Sequence, residues 1–382
     1  MEYDVVELAQ ALIRQDTTGG KNERRLLEGL ADILDAAGFS CSLEGYDPQD
    51  EGRANLIAWL GSDAPGTSLL LGGHVDTVPF GEAPWRHGPL EGVLEDGQLY
   101  GRGASDMKGG VAAMVLAAVS AAKRFAGNVG GRGNDRGVLV HLYGSEEFGC
   151  VGSFHAARNR DAFAPAGAAV IAEPTNNRPL AGHKGALWLT LRTMGRTAHA
   201  SMPEQGENAL AKLLPPAYRL LDEAPDATHE WLGTCTMALT TLHAGLNSNS
   251  IPDKAELTVD MRTVPGQDHA ALTERVRTVA GQDVAITATL DIPAVWTDPD
   301  LPWAKRVREV AARFLDRAPG VETVQFFTDA AAVRAAVPGI PVCILGPGNP
   351  AVAHRTDESC AVRQLRDAQA IYEALIADWF GA

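Results

Sequence analysis

Between Ser68 and Gly110 the chain reads SLLLGGHVDTVP, a linker, then YGRGASDMKGG, and this stretch limits the fold more than any other. Leu69, Leu70 and Leu71, bounded by Gly72 and Gly73, read as a strand buried on both faces. His74 and Asp76 follow just past its end, two residues apart, so in an extended chain both side chains point the same way. Asp106 then stands in a glycine-rich turn before a helical run that begins near Gly109. An imidazole and carboxylates delivered from strand ends onto one spot are the makings of a metal site.

A chain of 382 residues is long for one domain, and two are expected. Its 45% hydrophobic and 21% charged residues are ordinary for a soluble globular protein. The formal net charge of −15 argues against nucleic acid or an anionic membrane as a partner, but leaves a small anionic substrate open. The opening MEYDVVELAQALIRQ carries acids where a secretory signal has bases, and reads as an amphipathic helix. The longest apolar stretch, Val111 to Ala122, is too short to span a bilayer. Five cysteines (Cys41, Cys150, Cys235, Cys343, Cys360) without a C-x-x-C pair fit free thiols in a reducing compartment, so the cytoplasm is expected.

Periodicity predicts helices over 3–14 and 22–37, strands over 39–45, 54–60 and 67–73, and a hairpin in GVLEDGQLYG turning at Asp96-Gly97. A helix over 109–126 leads into NVGGRGNDRG, read as a mobile surface loop. A strand over 138–143 ending in SEEFG, a helix near 150–160 and a strand over 168–172 ending in EPT complete an alternating pattern. That alternation predicts an α/β layer with a mostly parallel central sheet flanked by helices. From 186 to 290 the order changes to strand, helix (207–222, disturbed by Pro215-Pro216), strand, strand, helix, strand, a ferredoxin-like β-α-β-β-α-β unit. Helices over 302–316, 329–336 and 361–379 and a strand over 342–345 follow. The expected organisation is a discontinuous catalytic domain, 1–180 and 291–382, with residues 181–290 inserted as a second domain.

His74, Asp106, Glu146-Glu147, Glu173 and His354 all fall at strand ends. Buried together, these carboxylates would repel one another and lose hydration unless cations sat among them. Two divalent ions meet that need formally, balanced by three ligand carboxylates and one hydroxide. Histidine and carboxylate without sulfur suit Zn²⁺, with Co²⁺ or Mn²⁺ as feasible substitutes.

GGHVDTVP, YGRGASDMKGG, SEEFG, AEPT, GRTAHAS and HRTDES, in this order, resemble metallopeptidase family M20. That family includes acetylornithine deacetylase, succinyl-diaminopimelate desuccinylase, aminoacylase and a glutamate-releasing carboxypeptidase. The resemblance covers nearly the whole chain. It implies a zinc-peptidase-like catalytic domain with two Zn²⁺ per subunit, and an inserted lid through which two copies dimerise. His74 and Glu173 would bind one ion, Glu147 and His354 the other, and Asp106 would bridge them. Asp76 would hydrogen-bond the far nitrogen of His74, and the Asp106-Met107 peptide would be cis. Glu146 would be the general base that passes a proton from the metal-activated water to the leaving amine. His199, often supplied by the partner subunit, would stabilise the oxyanion. Asn249 and Arg262 match positions used for a substrate carboxylate, and Gly346 and Gly348 would let backbone form one pocket wall.

The implied reaction removes an N-acyl group, such as acetyl or succinyl, from an amino acid or related amine. Glu173, where aminopeptidase-like relatives often have Asp, leans toward acylated amino acids. Cleavage of a short peptide by the same chemistry is the alternative. A catalytically silent binding or scaffold relative is another, although Glu146, Glu147, Asp106 and His354 are all present. His199 is equally readable as an ordinary domain histidine, and Arg262 as an ion-pair partner of Asp260. No G-x-S-x-G or Walker sequence occurs, which leaves serine-nucleophile and nucleotide chemistries unsupported.

Overall fold

A computed structural model describes residues 4–125, 136–223 and 225–382, so the expected loop NVGGRGNDRG lies almost wholly outside the described residues. The chain divides into two compact units, one of Met1–Gly182, Trp296–Glu322 and Thr328–Ala382, the other of His183–Val295 with Thr323–Phe327.

The larger unit is built on a mixed sheet in the order Ser40–Gly45, Ala54–Gly61, Gly137–Tyr143, Ser68–His74, Ala166–Ile171, Val342–Ile344, Leu180–His183. The four strands from Gly137–Tyr143 to Val342–Ile344 run parallel, and antiparallel strands extend both sides. Every residue of Ser68–His74 is buried, as expected of a strand covered on both faces. His74 proves to be the last residue of that strand, not the first beyond it.

The helix Lys108–Phe125 is apolar almost all round and buried along most of its length, which sets it inside the unit and not on its surface. It packs on the closing helix Val362–Trp379, beyond whose end Phe380 stacks on Phe125 with ring centroids 4.6 Å apart. Its first residue, Lys108, is fully buried and donates from Nζ to Leu12 O at 3.1 Å and Gln15 O at 2.6 Å. These are carbonyls at the end of the helix Val5–Ile13, where a cation is favoured. The hairpin Val93–Glu95/Gln98–Tyr100 turns at Asp96 (φ 50°) and Gly97 (φ 75°), the left-handed pair that a tight two-residue hairpin demands.

The smaller unit carries a four-stranded antiparallel sheet in the order Thr236–Ala244, Lys254–Thr263, Gly185–Met194, Ala285–Ile292, with helices Ala209–Leu220 and His269–Ala280. Strict alternation along Lys254–Thr263 sends Ala255, Leu257, Val259 and Met261 into a core shared with Leu213, Leu220 and Val276. The order matches the β-α-β-β-α-β arrangement.

Some local expectations need correction. Helix Ala209–Leu220 continues through Pro215 and Pro216. The carbonyls four residues earlier belong to Ala211 and Lys212, both exposed, where water can replace the missing amide donors. The helix near 150–160 is only Val151–Ala156 followed by a short 3₁₀ turn. The helix expected to reach 316 ends at Ala311.

Candidate metal centre

Three neighbouring parallel strands end at one edge of the larger unit. Ser68–His74 delivers His74, Gly137–Tyr143 leads into Glu146 and Glu147, and Ala166–Ile171 leads to Glu173. Functional groups in α/β sheets collect beyond such carboxyl ends. Asp106 comes from the turn before the helix Lys108–Phe125, and its peptide bond to Met107 is cis, as the resemblance implied. His354 comes from a loop where it adopts a left-handed φ of 62°.

The side chains converge as two triads. His74 Nε2 lies 3.2 Å from Asp106 Oδ1 and 3.9 Å from Glu173 Oε1. His354 Nε2 lies 3.3 Å from Asp106 Oδ2 and 3.0 Å from Glu147 Oε2. Within each triad, one potential ligand atom per residue falls within 4.8 Å of the others. Asp106 thus turns one oxygen toward each histidine.

The donor set fits cations on two independent grounds. Glu173 Oε1 is buried and has no hydrogen-bond partner among the described residues, an expensive arrangement unless something positive faces it. The protonation pattern agrees. Burial, reinforced by the charges of Glu173, Glu147 and Asp329, pushes Glu146 well above the usual carboxylate range. Burial also raises Glu173 strongly and Glu147 to a lesser degree. Hydrogen bonds to Asp106 and Glu147 push His354 up to about 10. Burial opposes charge on His74, but Asp106, Asp76 and Glu173 outweigh it and raise its pKa. Against burial, hydrogen bonds from His354 and His74 hold Asp106 below the usual carboxylate range, so the histidines carry the positive charge that this shared carboxylate draws in, and divalent cations would supply it instead by displacing those protons.

Asp76 holds two roles, one of them not foreseen. His74 Nδ1 is 3.0 Å from the Asp76 backbone carbonyl and 3.4 Å from its Oδ1, so the carbonyl is the nearer acceptor. This bond points Nε2 at Asp106 and Glu173. The Asp76 carboxylate instead accepts backbone amides, Glu146 N at 2.9 Å and Glu147 N at 3.2 Å. It fixes the turn that carries Glu146 and Glu147.

Beneath that turn lies a network that sequence reasoning missed. Ser145, at φ 56°, donates to Glu23 Oε1 at 2.9 Å, and Tyr46 donates to Glu23 Oε2 at 2.5 Å. Arg53 also donates to Ser145 Oγ. An acidic residue opening a helix, as Glu23 does, is ordinary, so nothing in the sequence marked it. Burial raises Glu23 to about 7, against the Tyr46 hydrogen bond that favours its charged form. A carboxyl raised in the folded state binds its proton more tightly there, so stability falls as pH climbs from the unfolded value near 4.5 through 7. Glu23→Gln lacks this titration. Its melting temperature relative to wild type should rise between pH 5 and pH 8, reflecting up to roughly 3 kcal/mol; a pH-independent difference would contradict the assignment.

Gly346 and Gly348 act through close approach. A Cβ on Gly346 would lie 2.2 Å from Ala172 O, and one on Gly348 (φ 94°) would lie 2.6 Å from Ser105 Oγ. Both let the loop press against the segments bearing Glu173 and Asp106. The remaining candidates lie in the smaller unit. His199 is exposed, with Nδ1 2.7 Å from Ser201 Oγ, and Asn249 is exposed. Arg262 pairs with Asp260, Nε to Oδ1 at 3.0 Å and Nη2 to Oδ2 at 3.1 Å, two residues apart on one strand face.

Strand-end triads on a helix-covered sheet, in this sequence context, define a metal-dependent hydrolase. The chain belongs to peptidase family M20/M25/M40, whose sequence model matches residues 70–378. It is 32% identical over 396 residues to a succinyl-diaminopimelate desuccinylase of Methylobacterium radiotolerans, covering 98% of this chain and 96% of that one. It is 30% identical to the protein of the same name from Granulibacter bethesdensis, covering 99% and 98%. Among solved structures, an M20 family metallo-carboxypeptidase from Sulfolobus solfataricus superimposes with a TM-score of 0.83 at 17% identity, covering 100% of both chains. A dinuclear metal-binding peptidase of the family from Bacillus subtilis gives 0.68 at 16%, covering 97% and 96%. Among the described residues no helix is long and apolar enough to cross a membrane, and all five cysteines are free.

Proposed function

We propose that this chain is a dinuclear-zinc amidohydrolase that removes an N-acyl group, acetyl, succinyl or similar, from an amino acid or related amine. The observation that carries the reading is Asp106 turning one oxygen to each histidine, so that two triads share one carboxylate. His74, Asp106 and Glu173 would hold one ion, and Asp106, Glu147 and His354 the other, with Co²⁺ or Mn²⁺ as possible substitutes. When bound, the ions supply Lewis acidity toward water and toward the amide carbonyl.

Glu146 accepts a proton from the attacking water as the oxygen bonds to the acyl carbon. It then gives that proton to the departing nitrogen, so the C–N bond breaks to a carboxylate and an amine. Asp76 keeps Glu146 and Glu147 aimed through their amides. His199 would donate to the oxyanion, and Asn249 and Arg262 would receive a substrate carboxylate. Arg262→Ala should then raise KM for an acyl-amino acid at least tenfold with less change in kcat. An unchanged KM would remove the clamp role.

The relatives named succinyl-diaminopimelate desuccinylase support an acyl-amino acid substrate. The second reading, cleavage of a short peptide, draws on solved neighbours described as a carboxypeptidase and a carnosine dipeptidase. Rates on matched N-succinyl, N-acetyl and dipeptide substrates decide between them; faster dipeptide cleavage would reverse the assignment, and no turnover in zinc-loaded protein would favour the silent relative. A homodimer through residues 181–290, the proposed lid, is part of the reading. The exposed edge strand Thr236–Ala244 with Leu242, and Tyr218 and Leu221 nearby in sequence to a helix face, offer surface for it. The address proposed is the cytoplasm, consistent with five free thiols.

A further inference from the structure

Asp76 is a buried carboxylate that grips consecutive backbone amides at a ligand-bearing turn, and among the described residues it has a counterpart. That counterpart is Glu358. It is fully buried, and its Oε1 accepts Ser105 N and Asp106 N, both at 2.9 Å. Its Oε2 accepts Arg102 Nη1 at 2.6 Å. Arg102 is itself 2% exposed and packs over the Trp85 ring. It donates again into the loop of Glu358, to Arg355 O at 3.2 Å, and to a further segment at Pro79 O at 3.0 Å. The backbones of the two segments also meet directly, through Gly101 N to Glu358 O at 3.0 Å and the short antiparallel pairing of Ser359–Ala361 with Gln98–Tyr100.

These bonds join the turn that ends in Asp106 to the loop that begins at His354. They do not hold His74 or Glu173, which the sheet itself fixes at strand ends. The tether holds a loop of uncommon backbone, since His354 and Asp357 sit at left-handed φ values of 62° and 60°, a region that His and Asp enter more readily than most side chains.

We propose that Glu358, held by Arg102, is a positioning residue for the cation site formed by Asp106, Glu147 and His354, and sets that site's affinity apart from its neighbour's. The inference rests on the two-ion reading above. Partners of this kind typically change metal affinity about 10–100-fold. The effect is confined largely to one site because only there do two ligands come from the two clamped segments.

The test is calorimetric titration of metal-stripped protein with Zn²⁺, in wild type, His354→Ala (to mark the second site), Glu358→Ala and Glu358→Gln. Glu358→Ala should weaken the His354 site about 10–100-fold and the His74 site by no more than about threefold. Glu358→Gln keeps an oxygen for both amides but loses the charged bond to Arg102. It should fold even where the alanine variant does not, and weaken the same site roughly three- to tenfold. Without any metal, amide exchange across 103–107 and 354–358 should quicken in Glu358→Ala, while the peptide around His74 keeps its wild-type rate. Equal weakening at both sites, or wild-type affinities in the glutamine variant, overturns the inference. Fewer than two ions in wild type overturns the two-ion reading instead.

Discussion

Glu146→Gln should lower turnover about 10²–10⁴-fold while leaving zinc stoichiometry and melting temperature close to wild type. The amide is isosteric with the carboxyl and keeps an oxygen in the same place, so the fold has no reason to object. Glu146 is absent from both triads, so cation binding should not suffer either. What disappears is the group that takes and returns the proton. Loss should fall on kcat more than KM, because the missing interaction strengthens only along the reaction path. Near wild-type turnover in a zinc-loaded Glu146→Gln protein would remove Glu146 from the mechanism.

The second large effect is expected at Asp106. Asp106→Ala should lose both ions and all measurable turnover, whereas His74→Ala and His354→Ala should each lose one. The asymmetry follows from geometry: Asp106 offers Oδ1 to His74 and Oδ2 to His354, while every other ligand belongs to one triad. Ions that bind only the folded chain stabilise it by mass action, about 4 kcal/mol at a thousandfold excess over Kd for each site. Asp106→Ala should therefore gain no thermal stability from added zinc, and each histidine variant part of the wild-type gain. Mass spectrometry of native protein and thermal melts with and without zinc read both quantities. A variant of Asp106 that kept one ion at full affinity would show that the carboxylate is not shared.

The parts of the molecule that sequence could disclose are those where a local rule acts alone. Leu69, Leu70 and Leu71 have no polar neighbour within their run and glycines at its end, which favours a short, doubly covered strand with His74 at its end. Alternation along Lys254–Thr263 likewise exposed the sheet of the smaller unit. Asp96-Gly97 announced its hairpin because few other residue pairs tolerate that backbone. The residues of the two triads stand in six ordered motifs, no one of which would single them out alone.

What stayed hidden depends on distant residues meeting. Glu23 and Ser145 lie 122 positions apart, and Arg102 and Glu358 256, and no local pattern marks either pair. The sequence alone suggests that Asp76 partners the His74 ring through its side chain. The side chain lies 3.4 Å from that ring but also accepts the amides of Glu146 and Glu147, and the backbone carbonyl is the ring's nearer acceptor. Residue type told that a carboxylate was needed there, but only the path of the chain could tell which donors it would meet. Pro215 and Pro216 misled for a related reason: helix propensity penalises them, yet the orphaned carbonyls belong to exposed residues, where solvent compensates.

The most direct measurement is an anomalous-scattering map at the zinc edge from crystals of zinc-loaded protein. Two peaks are expected, one beside His74 and Glu173 and one beside Glu147 and His354, with Asp106 between them. A single peak, or none at saturating zinc, would contradict a carboxylate shared between two cations.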